Sequence, residues 1–596
     1  MKVSKTAKLA ALIFLLALAP RVIFWAEWNR AGLLSLPVVD AHTYDQEARG
    51  LLEGGWPPEE PFWQAPLYSY FLAGVYRVAG VSWPAARLVN ALLGAGTCLL
   101  AWCLARHLLS RKQAWIVFGI CALYGPLLYF EGQLLRESLA AFLLTGWVLV
   151  QLKALSTAEK GGSPSVLWWL GAGMLLGLTA LCRENALILA PLAVLWGFFI
   201  RNGGGRWLRP VLFMLGICVI VSPVTLYNLK QDNALIPISS GGGINFYLGN
   251  NADSRGVIAI RPGRFWSELT DRPRLESGAV TAGEKSAYFY REAFDWIIHH
   301  PADFVRNTMY KTAGFLSPHE IKRNQEIYEA REGSRLLRVL MWKAGPFGFP
   351  FGLLGPAALL GLWRAFRRRL TPRNPKGFYF LAAATLLFSI GVILFFPSAR
   401  YRVVLTPVLA VLAVAGWTGF ARAWKESAIV LVASLLVVNA GWVRSQEDPA
   451  DQSFLRAYAL VEAGRTEEAL SELRLATKIN PKHGEAWTTM AALYGMTGRP
   501  RESMGAAYAA IAIDSTNAQA WVNLGTTLMD MGDLQNAERK LSRAIQLAPH
   551  LADAWNNLGT CLIQQGRRQE ALQAFDQALR IDPGHRCAAE NRRRPR

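Results

Sequence analysis

A group of ionisable side chains follows the first apolar run of this 596-residue chain. Asp40-Ala-His-Thr-Tyr44-Asp45 precedes an aromatic, proline-punctuated stretch, Phe62-Trp-Gln-Ala-Pro-Leu-Tyr-Ser-Tyr70. Polar groups held at a membrane cost free energy, so their presence points to chemistry. A carboxylate such as Asp40 can take a proton from a hydroxyl. His42, between Asp40 and Asp45, offers a nitrogen ligand to a divalent metal ion. Further on, Ile238-Ser-Ser-Gly-Gly-Gly-Ile-Asn-Phe-Tyr-Leu-Gly-Asn-Asn251 combines glycines, which permit close backbone approach, with Asn245, Tyr247 and Asn250, which suit sugar hydroxyls and ring faces. It lacks the Gly-Lys-Ser/Thr ending of a P-loop, and an ordinary turn-rich loop has the same composition.

The elements that must position these residues are membrane helices. Hydrophobic residues make up 52% of the chain and mean hydropathy is +0.20, too apolar for a soluble enzyme and too charged for a membrane core alone. Apolar runs near the length of about 20 residues that spans a bilayer recur to Val443. About eleven are predicted: Leu9–Trp25, Ala86–Leu108, Ala114–Tyr129, Leu139–Leu155, Leu167–Leu181, Ala186–Ile200, Val211–Leu226, Leu337–Trp363, Phe378–Phe396, Val403–Phe420 and Ala428–Trp442. The net charge of +20 does not imply a nucleic-acid partner, because the basic residues gather at alternate helix ends: Lys2, Lys5 and Lys8; Arg106, Arg111 and Lys112; Lys153 and Lys160; Arg201, Arg206 and Arg209; Arg364 to Lys376; Arg422 and Lys425. That asymmetry marks the cytoplasmic side. An inner-membrane protein with a cytoplasmic N-terminus and an extracytoplasmic C-terminal part is expected. Ala17-Leu-Ala-Pro has a faint likeness to a signal cleavage site, but cutting there would detach the helix that positions Asp40.

Four arginines break the asymmetry in the short outer loops: Arg136, Arg183, Arg400 and Arg402. A guanidinium fork suits bidentate contact with phosphate; snorkelling at a helix end is the plain alternative. Asp40 has its own, as the cap of an interfacial helix from Thr43 to Glu53. Arg136 and Glu137 have theirs, neutralising each other at the interface. The seven cysteines show no metal-ligand spacing, and five lie in or beside apolar runs, where cysteine acts as a small apolar residue.

Beyond residue 446 the apolar runs stop and a 34-residue period begins. Trp487, Trp521 and Trp555 keep it, as do Gly464, Gly498, Gly532 and Gly566, with small residues in phase at Ala469, Ser503, Ala537 and Ala571. This is the tetratricopeptide period. Four helix hairpins are predicted, over 450–483, 484–517, 518–551 and 552–585, stacking into an α-solenoid able to hold a protein or peptide, followed by a basic tail, 586–596.

In the membrane part, the segment 39–80, the late Ser398-Ala-Arg-Tyr-Arg402 and Leu178-Thr-Ala-Leu-Cys-Arg183 resemble the GT-C glycosyltransferases that use polyprenyl-phosphate sugars, a branch that includes protein mannosyltransferases and the aminoarabinose transferase of lipid A. The resemblance covers roughly residues 1–445, with 39–80 as first and 227–335 as large extracytoplasmic loop. It implies an all-α polytopic bundle. It also implies an inverting transferase moving a hexose such as mannose from a polyprenyl phosphate to an extracytoplasmic acceptor. Asp40 and Glu137 match the family's acids; Tyr44 matches a tyrosine, and Arg183 and Arg400 match basic positions. Ala41 replaces a second acid common in relatives, unless Asp45 substitutes, and Gln64-Ala65-Pro66 stands where aminoarabinose transferases have Lys-Pro. Some relatives need a metal. The repeats make a protein hydroxyl the expected acceptor. An O-antigen-type ligase or polymerase, and a non-catalytic membrane-anchored scaffold, are the alternatives.

Overall fold

The computed structural model describes residues 5–55, 57, 59–159, 165–199, 206–252, 263–321, 323, 327–367, 372–418, 423–442 and 448–593. The basic residues Lys2, Lys160, Arg201, Arg368, Arg369 and Arg422 lie outside them. The chain divides into two compact units, Met1–Ser445 and Gln446–Arg596. Among the described residues the only sheet is a hairpin pairing Trp342–Ala344 with Phe347–Phe349; everything else regular is helical.

In the first unit the helices relevant to the site are α1 (Lys5–Asn29), α2 (Asp40–Glu53), α3 (Leu67–Ala79), α4 (Trp83–Leu108), α5 (Arg111–Ala122), α6 (Gly125–Glu131), α7 (Glu137–Glu159), α8 (Ser165–Cys182), α9 (Ala190–Phe199), α10 (Leu208–Asp232), α11 (Gly242–Gly249), α12 (Arg264–Ser277), α13 (Ala282–His299), α14 (Pro301–Leu316), α15 (Arg335–Leu340), α16 (Phe351–Phe366), α17 (Pro375–Phe395), α18 (Ala399–Arg402), α19 (Thr406–Gly416) and α20 (Trp424–Val438). Among the described residues, six stretches are long and apolar enough to cross a membrane: α1, α4, α7, α10, α17 and the run Ala399–Gly416. The bent pair α5 and α6 makes a seventh if counted as one pass. Against the expected eleven spans, the described residues therefore hold six or seven. Leu167–Cys182, Glu184–Phe199 and Phe351–Phe366 are apolar but shorter. The predicted span Leu337–Trp363 is broken outright, because the hairpin at 342–349 interrupts it. The first two are separated only by the extended residue Arg183 and a 3-10 turn.

Close helix approach holds this bundle. In a bilayer small residues let backbones meet, since burial of apolar surface gives little drive between helices. A Cβ at Gly173 of α8 would overlap the carbonyl of Phe213 of α10, and one at Gly216 would overlap the carbonyl of Leu170. Trp169 packs edge-on to Phe213 beside this contact, their centroids 6.3 Å apart.

The second unit contains the helix hairpins that the period predicts, from Ala450–Glu462 paired with Thr466–Ile479 to Ala552–Gln564 paired with Arg568–Ile581. Each periodic indole donates its N–H to a carbonyl six residues earlier: Trp487 to Pro481, Trp521 to Ser515 and Trp555 to Pro549, all at 2.9 Å. The four periodic glycines take φ between 70° and 82°, the left-handed conformation that a side chain disfavours. Part of the basic tail is helical, over Arg586–Arg593, with Ala588 buried.

Overpacking a close helix crossing costs about 1–3 kcal/mol. Gly173→Ala should therefore lower the thermal unfolding midpoint of the detergent-solubilised protein, while the open Gly171 tolerates alanine.

Candidate functional site

Asp40 opens α2. The residue before it, Val39, has φ 50° and ψ −118°, and no side chain caps the helix, so Asp40 does not serve as the N-cap. A β-branched residue at positive φ is a genuine outlier. It turns the chain so that Asp40 faces inward, with 31% of its side-chain surface open.

Here four distant segments meet through ion pairs. Asp40 binds Nη1 of Arg400, whose Nε binds Glu137. Arg183 Nη2 reaches the same Glu137 oxygen at 2.7 Å, and its guanidinium lies 4.6 Å from the Tyr401 ring centroid. Arg136 donates to the Cys182 carbonyl at 3.3 Å and approaches Glu184 at 3.7 Å. The expected neutralisation of Arg136 by Glu137 is thus replaced by two other pairings. Arg183 and Arg400 are buried, not snorkelling. Burial opposes the charge of Asp40, but Arg400 and then Arg323 offset it and hold its carboxyl below its ordinary value. Burial pushes the Tyr44 phenol up, so Tyr44 stays a donor.

The donors in this cluster exceed the acceptors. Arg136 Nε, Arg183 Nε and Nη1, and Arg400 Nη2 are buried with no hydrogen-bond partner, as is the Tyr44 hydroxyl. Buried polar groups are normally satisfied; here Glu137 Oε2 is also without a partner, and the unmet guanidinium N–H groups outnumber it. The cavity beside them, about 390 Å³, is lined by the charged Asp40, Arg136, Arg183 and Arg323, by Gln64 and Asn245, and by apolar residues that include Leu187, Val392 and Phe395.

Of the remaining predicted residues, only Asn245 joins this site. Its Oδ1 accepts from Arg323 Nη2 at 3.2 Å. Asp45 is taken by Tyr76, by Trp83 Nε1 at 3.0 Å and by Arg49 at 2.9 Å, and does not line the cavity. Arg402 binds Glu320 at 2.9 Å and the Phe315 carbonyl at 2.9 Å over the Phe351 ring. Tyr247 accepts from Arg272 at 2.6 Å. Asn250 is buried, its Oδ1 accepting from Lys311 Nζ at 3.0 Å; burial pushes that lysine down to about 8. None of these four residues lines the cavity.

His42 does not gather with Asp40 and Asp45, which face different partners. Among the described residues, the one set with ligand atoms mutually close enough for a metal is Asp448, Asp451 and His483, in the second unit. His483 Nδ1 accepts the N–H of Ala486 at 3.1 Å, which leaves its proton on Nε2, 3.6 Å from Asp451. A neutral ring in that tautomer has no lone pair for a cation. The pair recurs three periods on as His585 and Asp553, 3.0 Å apart, so it links successive repeats.

Arg323 and Glu184 escaped the sequence reading. Arg323 donates to the Tyr401 hydroxyl and stacks 4.4 Å from the Phe396 centroid. It lies in a long segment between apolar helices, where charge asymmetry carries no signal. Glu184 accepts from Ser239 Oγ at 2.6 Å and the Ala65 N–H at 3.1 Å; its adjacency to Arg183 was its only mark.

Glu137, with a fully buried side chain, holds two guanidinium groups. Stranding buried charges costs about 3–5 kcal/mol. Glu137→Gln should lower the denaturation midpoint accordingly, measured by intrinsic fluorescence in detergent.

Residues 63–227 match the profile of the dolichyl-phosphate-mannose-protein mannosyltransferases. Residues 453–483 and 516–583 match tetratricopeptide repeat profiles. No curated protein matches the chain. Solved structures similar to it include YrrB, a TPR protein with an unusual peptide-binding site, at 18% identity over 30% of this chain and 88% of that one, TM-score 0.23. PilF of Pseudomonas aeruginosa is 26% identical over 24% of this chain and 65% of that one, TM-score 0.23. The MamA protein is 19% identical over 28% and 87%, TM-score 0.21.

Proposed function

We propose that the glycosyltransferase domain of the dolichyl-phosphate-mannose-protein mannosyltransferase family present in this chain transfers a hexose such as mannose from a polyprenyl phosphate, with inversion. The acceptor hydroxyl is presented outside the cytoplasm by a protein held on the tetratricopeptide repeats. The observation that carries this reading is the set of orphaned guanidinium N–H groups beside a cavity whose lining combines arginines with apolar side chains. Such a cavity suits a phosphate joined to an isoprenoid tail.

Asp40 is the base that receives the acceptor's proton. As the acceptor oxygen bonds to C1 of the sugar, the bond from C1 to the phosphate oxygen breaks and the electron pair leaves with the polyprenyl phosphate. Arg136, Arg183, Arg323 and Arg400 hold the charge that develops there. A carboxylate locked to Arg400 is a weak base. Phosphate competes for the same guanidinium, through the orphaned Nη2, so Asp40 regains basicity when the donor is seated. Glu137 positions Arg183 and Arg400. The second unit, by the charge asymmetry of the first, lies on the extracytoplasmic side.

Transfer assays with purified protein and a panel of polyprenyl-phosphate sugars test this. Asp40→Asn should lower turnover by roughly 10²–10⁴-fold with the fold retained and only the stability of its ion pair with Arg400 lost. Retained turnover would leave only a membrane-anchored scaffold. Arg323→Ala should mainly raise the KM for donor. The pH profile carries a sign. A depressed Asp40 keeps its charge, and the stability this adds, above its ordinary value of 3.8, losing both only as pH falls further. The acid limb of kcat/KM, which reports free enzyme, should lie below that value, and the limb of kcat above the limb of kcat/KM. Cysteine labelling of a single introduced thiol in the last repeat, in intact cells, checks the orientation.

A further inference from the structure

The first unit has a second cavity, about 350 Å³, that the transfer chemistry above does not use. Trp63 lines it and also lines the arginine-rich cavity. The Trp63 carbonyl accepts the N–H of Gly241 at 3.0 Å, and its ring meets that of Trp266 edge-on with centroids 6.4 Å apart. Trp63 is nevertheless 48% exposed.

The polar lining differs in kind from that of the first cavity. It contains no arginine; Glu60, Gln231, Asp232, Lys285 and Ser286 supply the polar groups. Asp232 accepts the N–H of Gly283 with one oxygen, while the other, Oδ1, is buried with no hydrogen-bond partner. Two carboxylates against one ammonium repel a phosphate or other anion. The lining offers both donors and acceptors, however, and sugar hydroxyls need both, each donating one bond and accepting another. The indole face suits the C–H face of a pyranose ring. The volume falls near the lower end of small-ligand sites, roughly 300–1,000 Å³, which is room for a mono- or disaccharide.

The geometry points to a neutral saccharide subsite in this cavity, on the acceptor side of Trp63. Resting on the transferase reading, it makes the acceptor a chain that already bears sugar, whose terminal unit sits here while its hydroxyl reaches Asp40. Full-length protein in detergent is titrated with mannobiose and methyl mannoside, by calorimetry and saturation-transfer NMR. Asp232→Asn and Lys285→Met should each weaken binding at least tenfold, raise the KM for a glycosylated acceptor and leave the donor KM unchanged. Lys285 is partly exposed, so its variant stands if Asp232→Asn fails to fold. Saccharide binding that survives both substitutions overturns the subsite. So does a serine- and threonine-containing peptide that binds through Lys285 where no saccharide does. Donor turnover without saccharide binding sinks the subsite and spares the transferase reading; saccharide binding that depends on Lys285 supports the subsite even where no donor is turned over.

Discussion

One buried run of alternating charge, Asp40, Arg400, Glu137 and Arg183, ties together parts of the chain up to 360 residues apart. Burying ions is costly unless each finds its counter-charge and its hydrogen bonds. Within the run Glu137 Oε2 is left without a hydrogen-bond partner, and so are Arg183 Nε and Nη1 and Arg400 Nη2, so unmet donors outnumber unmet acceptors. The run also explains why the helices are not uniform cylinders: α7 begins at Glu137, α8 ends just before Arg183 and α18 carries Arg400, so each break in a helix delivers one member of the cluster.

Much of this was legible beforehand where a physical rule isolates single residues. Charge asymmetry picked out Arg136, Arg183 and Arg400 because a cation on the outer side of a short loop has no bulk reason to be there. The same rule picked out Arg402, which instead binds Glu320; it detects a misplaced cation but not its partner. Asp45 and Asp40 are indistinguishable by type, and only the turn at Val39 separates the one facing the cavity from the one facing Tyr76. Asn250 and Tyr247 were drawn in by composition, yet their partners, Lys311 and Arg272, lie in other helices. Hydropathy gives more spans than the described helices do, because it averages across the hairpin at 342–349 and does not register that the helices on either side of Arg183 are short.

The repeats were the most readable part, since a fixed period constrains each residue by a local geometry repeated down the chain. The indole N–H bonds show why the degenerate position did not matter: the acceptor is a backbone carbonyl, which Ser515 supplies as well as Pro481 or Pro549. The membrane unit has no such redundancy. Its site is defined by contacts between segments far apart in sequence, each made once.

The conformation of Val39 has a consequence for biogenesis. Such a backbone state costs about 1–3 kcal/mol and persists only where the surroundings impose it. Until α17 and α18 have been inserted and Arg400 has arrived, the bend can relax and Asp40 can swing away. With Asp40 as the proposed base, a nascent chain would then be inert until the last of these segments is in place.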